Sequence, residues 1–381
     1  MSSVYFDHNS TTALKTEVLE AMLPFMASQH GNATSRHSFG RTARAAVEHA
    51  REQVANAVGA YANQIVFTAS GTESNNFAVR GICSSLDKGQ ILTSAIEHPC
   101  VSRPALAIQT SVMQAKSIHV DSNCNINLAH LQKLLLAPTS LVSAMLVNNE
   151  TGVIQDITKV AEIARVHKAY VHTDAVQALG KIPVDFFSQG VHAMTVSSHK
   201  IGGPLGAGAL VLDKRIDIQP LLYGGGQEKG LRSGTENVAA IVGFGAACDL
   251  ATKNLSAFDV HTANLRDHLE IGLAKLNAVI FGYNGFRVAN TSFFAFKNVE
   301  GETLVTALDK AGFAVASGSA CSSDSTEPSH VLLAMGVPED LARGAVRVSF
   351  GLSNTVQEVE HFLLALKQQL TRLRNLTAVA A

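Results

Sequence analysis

Ala193-Met194-Thr195-Val196-Ser197-Ser198-His199-Lys200 joins a short apolar run to a polar cluster that ends in a lysine. About one βα unit earlier, Tyr170-Val171-His172-Thr173-Asp174-Ala175-Val176-Gln177 makes the same transition and carries an aspartate. Outward from these two stretches, short apolar runs at 65–68, 91–93, 141–147 and 209–212 alternate with helical periodicity. Runs of that length, separated by amphipathic segments, predict a mostly parallel sheet with helices on both faces. Ligands of such sheets bind beyond the carboxyl ends of the strands. Four polar clusters fall at those ends: Ser70-Gly71-Thr72, Asn148-Asn149-Glu150, Asp174 and His199-Lys200.

Beyond about residue 255 the pattern changes. Predicted strands at 290–296 and 345–350 accompany helical segments at 303–310 and 355–371, and Thr355 with Glu358 fits a capping box. The expectation is a large α/β domain over residues 15–258. A smaller α+β domain is expected from residues 1–14 and 259–381.

A lysine and an aspartate at the ends of neighbouring strands suit pyridoxal phosphate. The amine can form a Schiff base, and the carboxylate can keep the pyridine nitrogen protonated so that the ring takes up electrons. Ala69-Ser70-Gly71-Thr72, between a strand and a helix, offers free N–H groups and a hydroxyl to a phosphate, and Ser197 and His199 add donors beside the lysine.

The composition narrows the alternatives. A chain of 381 residues, 46% hydrophobic and 16% charged, can bury a large core. Its net charge of −1 and the lack of any basic run give no footprint for nucleic acid or an anionic membrane. The stretch 1–7 has neither a basic nor an apolar signal region, and the longest apolar run, 238–248, is too short for a bilayer, so a cytoplasmic protein is expected. Five cysteines without a C-x-x-C pair argue against a disulfide framework and a zinc knuckle, and His98 with Cys100 lacks the partner motif a metal site needs. Cys321 differs from the rest. It lies in Ala316-Ser317-Gly318-Ser319-Ala320-Cys321-Ser322-Ser323-Asp324-Ser325-Thr326-Glu327-Pro328, whose small polar residues predict an exposed loop and a reactive thiol.

In order and spacing, Phe67-Thr68-Ala69-Ser70-Gly71-Thr72-Glu73-Ser74-Asn75-Asn76, Glu97-His98-Pro99, Asn148-Asn149-Glu150-Thr151-Gly152, His172-Thr173-Asp174-Ala175-Val176-Gln177 and Ser197-Ser198-His199-Lys200 closely resemble the cysteine desulfurases. The resemblance extends from Asp7-His8-Asn9-Ser10-Thr11-Thr12 to Arg347-Val348-Ser349-Phe350. It implies the fold of aspartate aminotransferase, fold type I, with a seven-stranded sheet. Lys200 would be the Schiff-base lysine, Asp174 the pyridinium partner, Gln177 a donor to the phenolate oxygen, and His98 the ring stacked on the cofactor and a proton carrier. Gly71, Thr72, Ser197 and His199 would hold the phosphate, and Asn149 and Arg347 the substrate carboxylate.

Arg232-Ser233-Gly234-Thr235 matches a family segment whose threonine reaches the neighbouring subunit's phosphate, which implies a homodimer through Thr235. The 316–328 segment is similar to the longer cysteine loop of the iron–sulfur-assembly branch. The implied reaction takes L-cysteine to L-alanine and leaves the sulfur on Cys321 as a persulfide for an acceptor such as an iron–sulfur scaffold. No resident metal is implied, although Cys321 could ligate a cluster transiently.

The chain departs from the family pattern at Ser10, Ala33 and Leu205, none of which touches the implied chemistry. A selenocysteine lyase or a cysteine β-lyase would share every cofactor residue. A non-catalytic scaffold would have no need for Lys200, Asp174, His98 and Cys321 together.

Overall fold

The structure, a computed structural model, describes residues 3–86, 89–318 and 327–380. In chain order its strands are β1 (Val4–Tyr5), β2 (Ile65–Thr68), β3 (Gly89–Ser94), β4 (Met113–Ile118), β5 (Thr139–Ser143), β6 (Tyr170–Asp174) and β7 (Ala193–Ser197). There follow β8 (Gly208–Leu212), β9 (Val279–Ile280), β10 (Thr291–Ala295), β11 (Phe313–Ala314), β12 (Ala316–Ser317) and β13 (Val346–Ser349).

Seven strands form one sheet in the order β2-β8-β7-β6-β5-β3-β4. Only β8 runs antiparallel to its neighbours. Strands buried on both faces read as continuous apolar runs, and the four residues of β2 are all buried, as are the five of β7 and of β8. One face packs Phe67, Val142, Val171 and Met194 against Val47, Val54 and Phe244 of the helices Ser38–Ala57 and Val238–Lys253. The other face packs Val66, Ile91, Leu141 and Leu210 against Phe77, Ile82 and Val101.

The predicted strand at 141–147 is shorter as a ladder. Ala144 and Leu146 still donate to the carbonyls of His172 and Asp174, but Met145 N–H turns to Glu97 Oε1 at 2.7 Å. The run therefore keeps its partner on one side only. The edge strand β4 had no apolar run to announce it, because Gln114, Lys116 and Ser117 face solvent.

A second sheet has the order β12-β13-β10-β9, antiparallel throughout. Alternation along β13 sends Val346 and Val348 into a core with Leu269, Phe294 and Phe362, while Arg347 and Ser349 point the opposite way. The expectation of a loop from residue 316 needs correction, since Ala316 and Ser317 pair with Arg347 and Val346. That partner is some thirty positions away, out of reach of local composition. The capping box forms: Glu358 N–H donates to Thr355 Oγ1 at 3.2 Å and Thr355 N–H to Glu358 Oε2 at 2.8 Å.

The N-terminal segment serves both cores. β1 pairs with β11, and Phe6 stacks edge-on to Phe350 with centroids 5.2 Å apart, whereas Val18 and Met22 pack in the core of the large sheet.

The segment that carries Arg232 to Thr235 is secured by a bidentate pair between Arg51 and Glu228, both contacts at 2.7 Å and both side chains buried. Glu228 Oε2 also accepts from Phe67 N–H at 2.8 Å, which ties the segment to β2. Removing one member of such a pair strands a buried charge. Arg51→Met is expected to lower the unfolding free energy by about 3–5 kcal/mol in chemical denaturation. A loss within the error of the native value would show that the pair contributes nothing.

Candidate active site

The carboxyl ends of β2, β6 and β7, the turns after β3 and β5, and Arg347 of β13 converge on a cavity of about 280 Å³. Gly71, Thr72, His98, Asn149, Asp174, Gln177, Ser197, His199, Lys200 and Arg347 all line it.

Lys200 closes the short turn Ser198–Lys200 that follows β7. Its Nζ donates to the carbonyls of Asn9 and Ser10, each at 2.6 Å. Asp174 is the last residue of β6, and only 5% of it is exposed. Burial raises its pKa, and hydrogen bonds from Val176 N–H at 2.9 Å and Asn75 Nδ2 at 2.6 Å, with the charge of Lys200, oppose that rise. A protonated ring nitrogen brought to this carboxylate would favour its anion further.

The helix Gly71–Asn76 is capped by Ser70, whose Oγ accepts from Glu73 N–H at 3.1 Å. Its first N–H groups have no partner within the helix. A Cβ at Gly71 would lie 3.0 Å from Val176 Cγ2 and 3.3 Å from Ser197 Cβ, so only glycine keeps this corner open. Ser197 Oγ is buried in the same wall without a hydrogen-bond partner. His199, whose Nδ1 lies 3.1 Å from Thr11 Oγ1, is pushed down to about 4 by burial and then by Lys200.

His98 caps the helix Pro99–Ala107, with Cys100 N–H donating to its Nδ1 at 3.2 Å. Burial first, then the electrostatic influence of Lys200, His330 and Arg103, pushes its imidazole down to about 4. With Nδ1 accepting, the ring proton of neutral His98 sits on Nε2.

Arg347 donates to the Asn149 carbonyl at 2.9 Å, to Asp7 Oδ1 at 2.7 Å and to Ser10 Oγ at 2.8 Å, so the departure from the family pattern at Ser10, expected to lie clear of the chemistry, does reach the site. Its buried Nε–H has no hydrogen-bond partner. An anionic group in the cavity would meet an unsatisfied donor on a guanidinium that Asp7 only partly neutralises.

Two expected residues stand apart. Thr235 is exposed and does not line this cavity, although Arg232 of the same segment pairs with Glu73 of the phosphate-side helix at 2.8 Å. Cys321 lies outside the described residues. The residues before it in β12 pair with Arg347 and Val346. After it, Ser329 donates to the Glu150 carboxylate, and His330 Nε2 donates to the Glu97 carbonyl at 2.9 Å. The four described cysteines are all buried and free. Burial pushes Cys83 and Cys124 up to about 12.

The sequence reading left out three contributors. Asn75 holds Asp174, Asp7 holds Arg347, and Asn9 receives Lys200. Asn75 stood one helical turn after Gly71, a spacing that points it to the same side. Asp7 and Asn9 carried no local signal beyond their place in an N-terminal polar cluster.

These features fit pyridoxal phosphate: a lysine amine and a buried carboxylate face one cavity, and an unpaired hydroxyl and a glycine corner form its phosphate end. The fold and the site define a fold-type-I pyridoxal-phosphate enzyme.

The model of the family Aminotransferase class-V matches residues 4–362. The chain is 40% identical to the cysteine desulfurase IscS of Methanosarcina thermophila, over 98% of this chain and 94% of the relative. It is 41% identical to the cysteine desulfurase IscS of Dictyoglomus turgidum, over 98% and 96%. A solved structure described as a NifS-like protein superposes with a TM-score of 0.91 at 38% identity, covering 97% of this chain and 99% of that one. The chain belongs to the class-V aminotransferase family.

Because its pKa is lowered to about 4, His98 is neutral throughout the range in which an ordinary histidine titrates. In an NMR titration its ring signals are expected to stay constant from pH 8 to about 5. A midpoint near 6.5 would contradict the burial argument.

Proposed function

We propose that this protein is a pyridoxal-phosphate-dependent cysteine desulfurase that converts L-cysteine to L-alanine and hands the sulfur on through Cys321. The carrying observation is the convergence of Lys200, Asp174, His98, Asn149 and Arg347 on one cavity. The names of the relatives support the same reading.

When bound there, pyridoxal phosphate supplies an electron sink for negative charge developed at the substrate α-carbon. Gly71, Thr72, Ser197 and His199 would hold its phosphate, Gln177 would donate to its ring oxygen, and Asp174 would keep its ring nitrogen protonated. The guanidinium of Arg347 and the Asn149 amide bind the substrate carboxylate and fix which bond faces Lys200. Lys200 Nζ removes the α-proton, having left the two carbonyls that hold it in this structure. Neutral His98 carries its proton on Nε2 and relays it between substrate and solvent.

The Cys321 thiolate then attacks the substrate sulfur. The Cβ–S bond breaks, an S–S bond forms, and the electron pair stays with Cβ, which takes a proton and becomes the alanine methyl group. No outside oxidant or reductant enters. The segments flanking Cys321 in sequence are tied to the site through β12 beside Arg347 and Ser329 on Glu150, which supports delivery of that thiol to the substrate.

The finer assignments rest on the same reading. The acceptor is a scaffold for iron–sulfur cluster assembly, as the relatives named IscS suggest. The working form is a homodimer in which Thr235, exposed on its own chain, donates to the phosphate of the neighbouring subunit. Four free buried thiols accord with a reducing, cytoplasmic setting.

The test is product analysis with L-cysteine and a thiol reductant. Alanine and sulfide are expected in equal amounts, whereas pyruvate with sulfide would establish β-elimination and remove Cys321 from the mechanism. Cys321→Ala is expected to abolish alanine formation while leaving the cofactor bound. Arg347→Lys, which loses the planar fork, is expected to lower kcat/KM by roughly tenfold or more.

A further inference from the structure

Lys181 lies one turn beyond Gln177 and is among the most deeply buried charged residues of the chain, 4% exposed. It does not line the cofactor cavity. It lines a neighbouring, larger cavity of about 370 Å³ that shares Lys200 with it. No ion pair involves Lys181 among the described residues. Its Nζ instead meets two neutral amide oxygens, Gln177 Oε1 at 2.5 Å and Asn9 Oδ1 at 2.7 Å.

These contacts settle the orientation of the Gln177 amide. Lys181 donates to one end of the amide and the Asn9 carbonyl accepts from the other, so the Gln177 atom facing Lys181 is the oxygen. The other end must then be the nitrogen, and Gln177 Nε2 donates to the Asn9 carbonyl at 2.8 Å. One of its two hydrogens is used in this way. Gln177 lines the cofactor cavity, so with Oε1 turned to Lys181 the group it presents there is a donor. Were the amide reversed, an acceptor would face the ring oxygen and the Gln177 oxygen would meet the Asn9 carbonyl, which can only accept.

We infer that Lys181 is a positioning residue, which locks the Gln177 amide so that it offers a hydrogen to the ring oxygen of the bound cofactor. This rests on the cofactor reading above and adds to it a residue that touches neither cofactor nor substrate.

The surroundings of Lys181 disfavour its charged form. The charged groups acting on it are Lys200 and Arg347, both cations, and it in turn acts on His8, while Lys15 and Glu17 also line its cavity. Burial and then these cations hold its pKa well below the usual ammonium range. In either protonation state the amine has a hydrogen for each of the two acceptors within reach.

The readout is the pH titration of the absorbance band of the bound cofactor, near about 400 nm for a Schiff base. A donor to the ring oxygen stabilises its anion and so lowers the pH of the transition. Lys181→Met, close in volume and without donors, is expected to raise the midpoint by about one pH unit. Lys181→Gln, which keeps two donors on a shorter stem, should raise it less. In a Gln177→Ala background, where the midpoint is already raised, neither change should shift it further, because Lys181 acts only through that amide.

An equal shift in the Gln177→Ala background would overturn the inference in favour of a direct charge effect. An unmoved midpoint in the native background, or loss of fold in both variants, would make Lys181 a structural prop only. A native protein without the band would instead refute the cofactor reading itself, so the two failures are distinguishable.

Discussion

Asn9 is the residue on which the geometry of the site converges, and it uses every polar group it has. Its N–H donates to Ser349 Oγ, and its Nδ2 donates to Thr291 Oγ1 and the Asn149 carbonyl. Its carbonyl accepts from Lys200 and Gln177, and its Oδ1 accepts from Lys181 and Asn290. Three parts of the chain therefore share one buried amide: the strands β10 and β13, the loops at the ends of the large sheet, and the N-terminal segment. A polar group buried without partners costs on the order of 1–3 kcal/mol, so a shift of any one part leaves several groups unsatisfied together. The position of Arg347 relative to Lys200 follows from this sharing.

The charges around the cavity follow a consistent pattern. Lys200 and Arg347 face it, and against them stand Asp174, held by Asn75, and Asp7, which engages one edge of the guanidinium. Two cations, with the Arg347 Nε–H left unsatisfied, suit a ligand that brings a phosphate and a carboxylate. Burial keeps the remaining ionisable groups out of this balance. His98 and His199 are neutral at pH 7, and Glu97, wholly buried and pushed up to about 8, is largely protonated. The net field thus comes from few groups, and the substitution of any of them will be felt directly.

Much of this was legible in the sequence because the relevant signals are local. Strands buried on both faces leave continuous apolar runs, and residues at their carboxyl ends fall next to one another in space without any knowledge of long-range contacts. Lys200, Asp174 and the Ser70-Gly71-Thr72 turn are of this kind. The same holds for Thr355 and Glu358, whose bond partners are three positions apart. Where the partner is distant, the sequence is silent. β12 exists because β13 lies beside it, and β4 is a solvent-facing edge with little apolar pattern. Asn9 has hydrogen-bond partners up to 340 positions away, and Lys181 reads as an ordinary surface lysine until its surroundings are known.

The separation between Asn9 and Ser349 also imposes an order on assembly. During synthesis the N-terminal segment leaves the ribosome before its partners, and its final hydrogen bonds and its pairing with β11 wait for residues roughly 310–340 positions later. The large sheet can collapse before then, since its strands lie close in sequence and short loops close cheaply. Lys200 and Arg347 acquire their final relation only when β13 arrives and seats the segment between them. A nascent chain can therefore hold a folded sheet beside an unfinished ligand site, and cofactor capture is coupled to the arrival of β13.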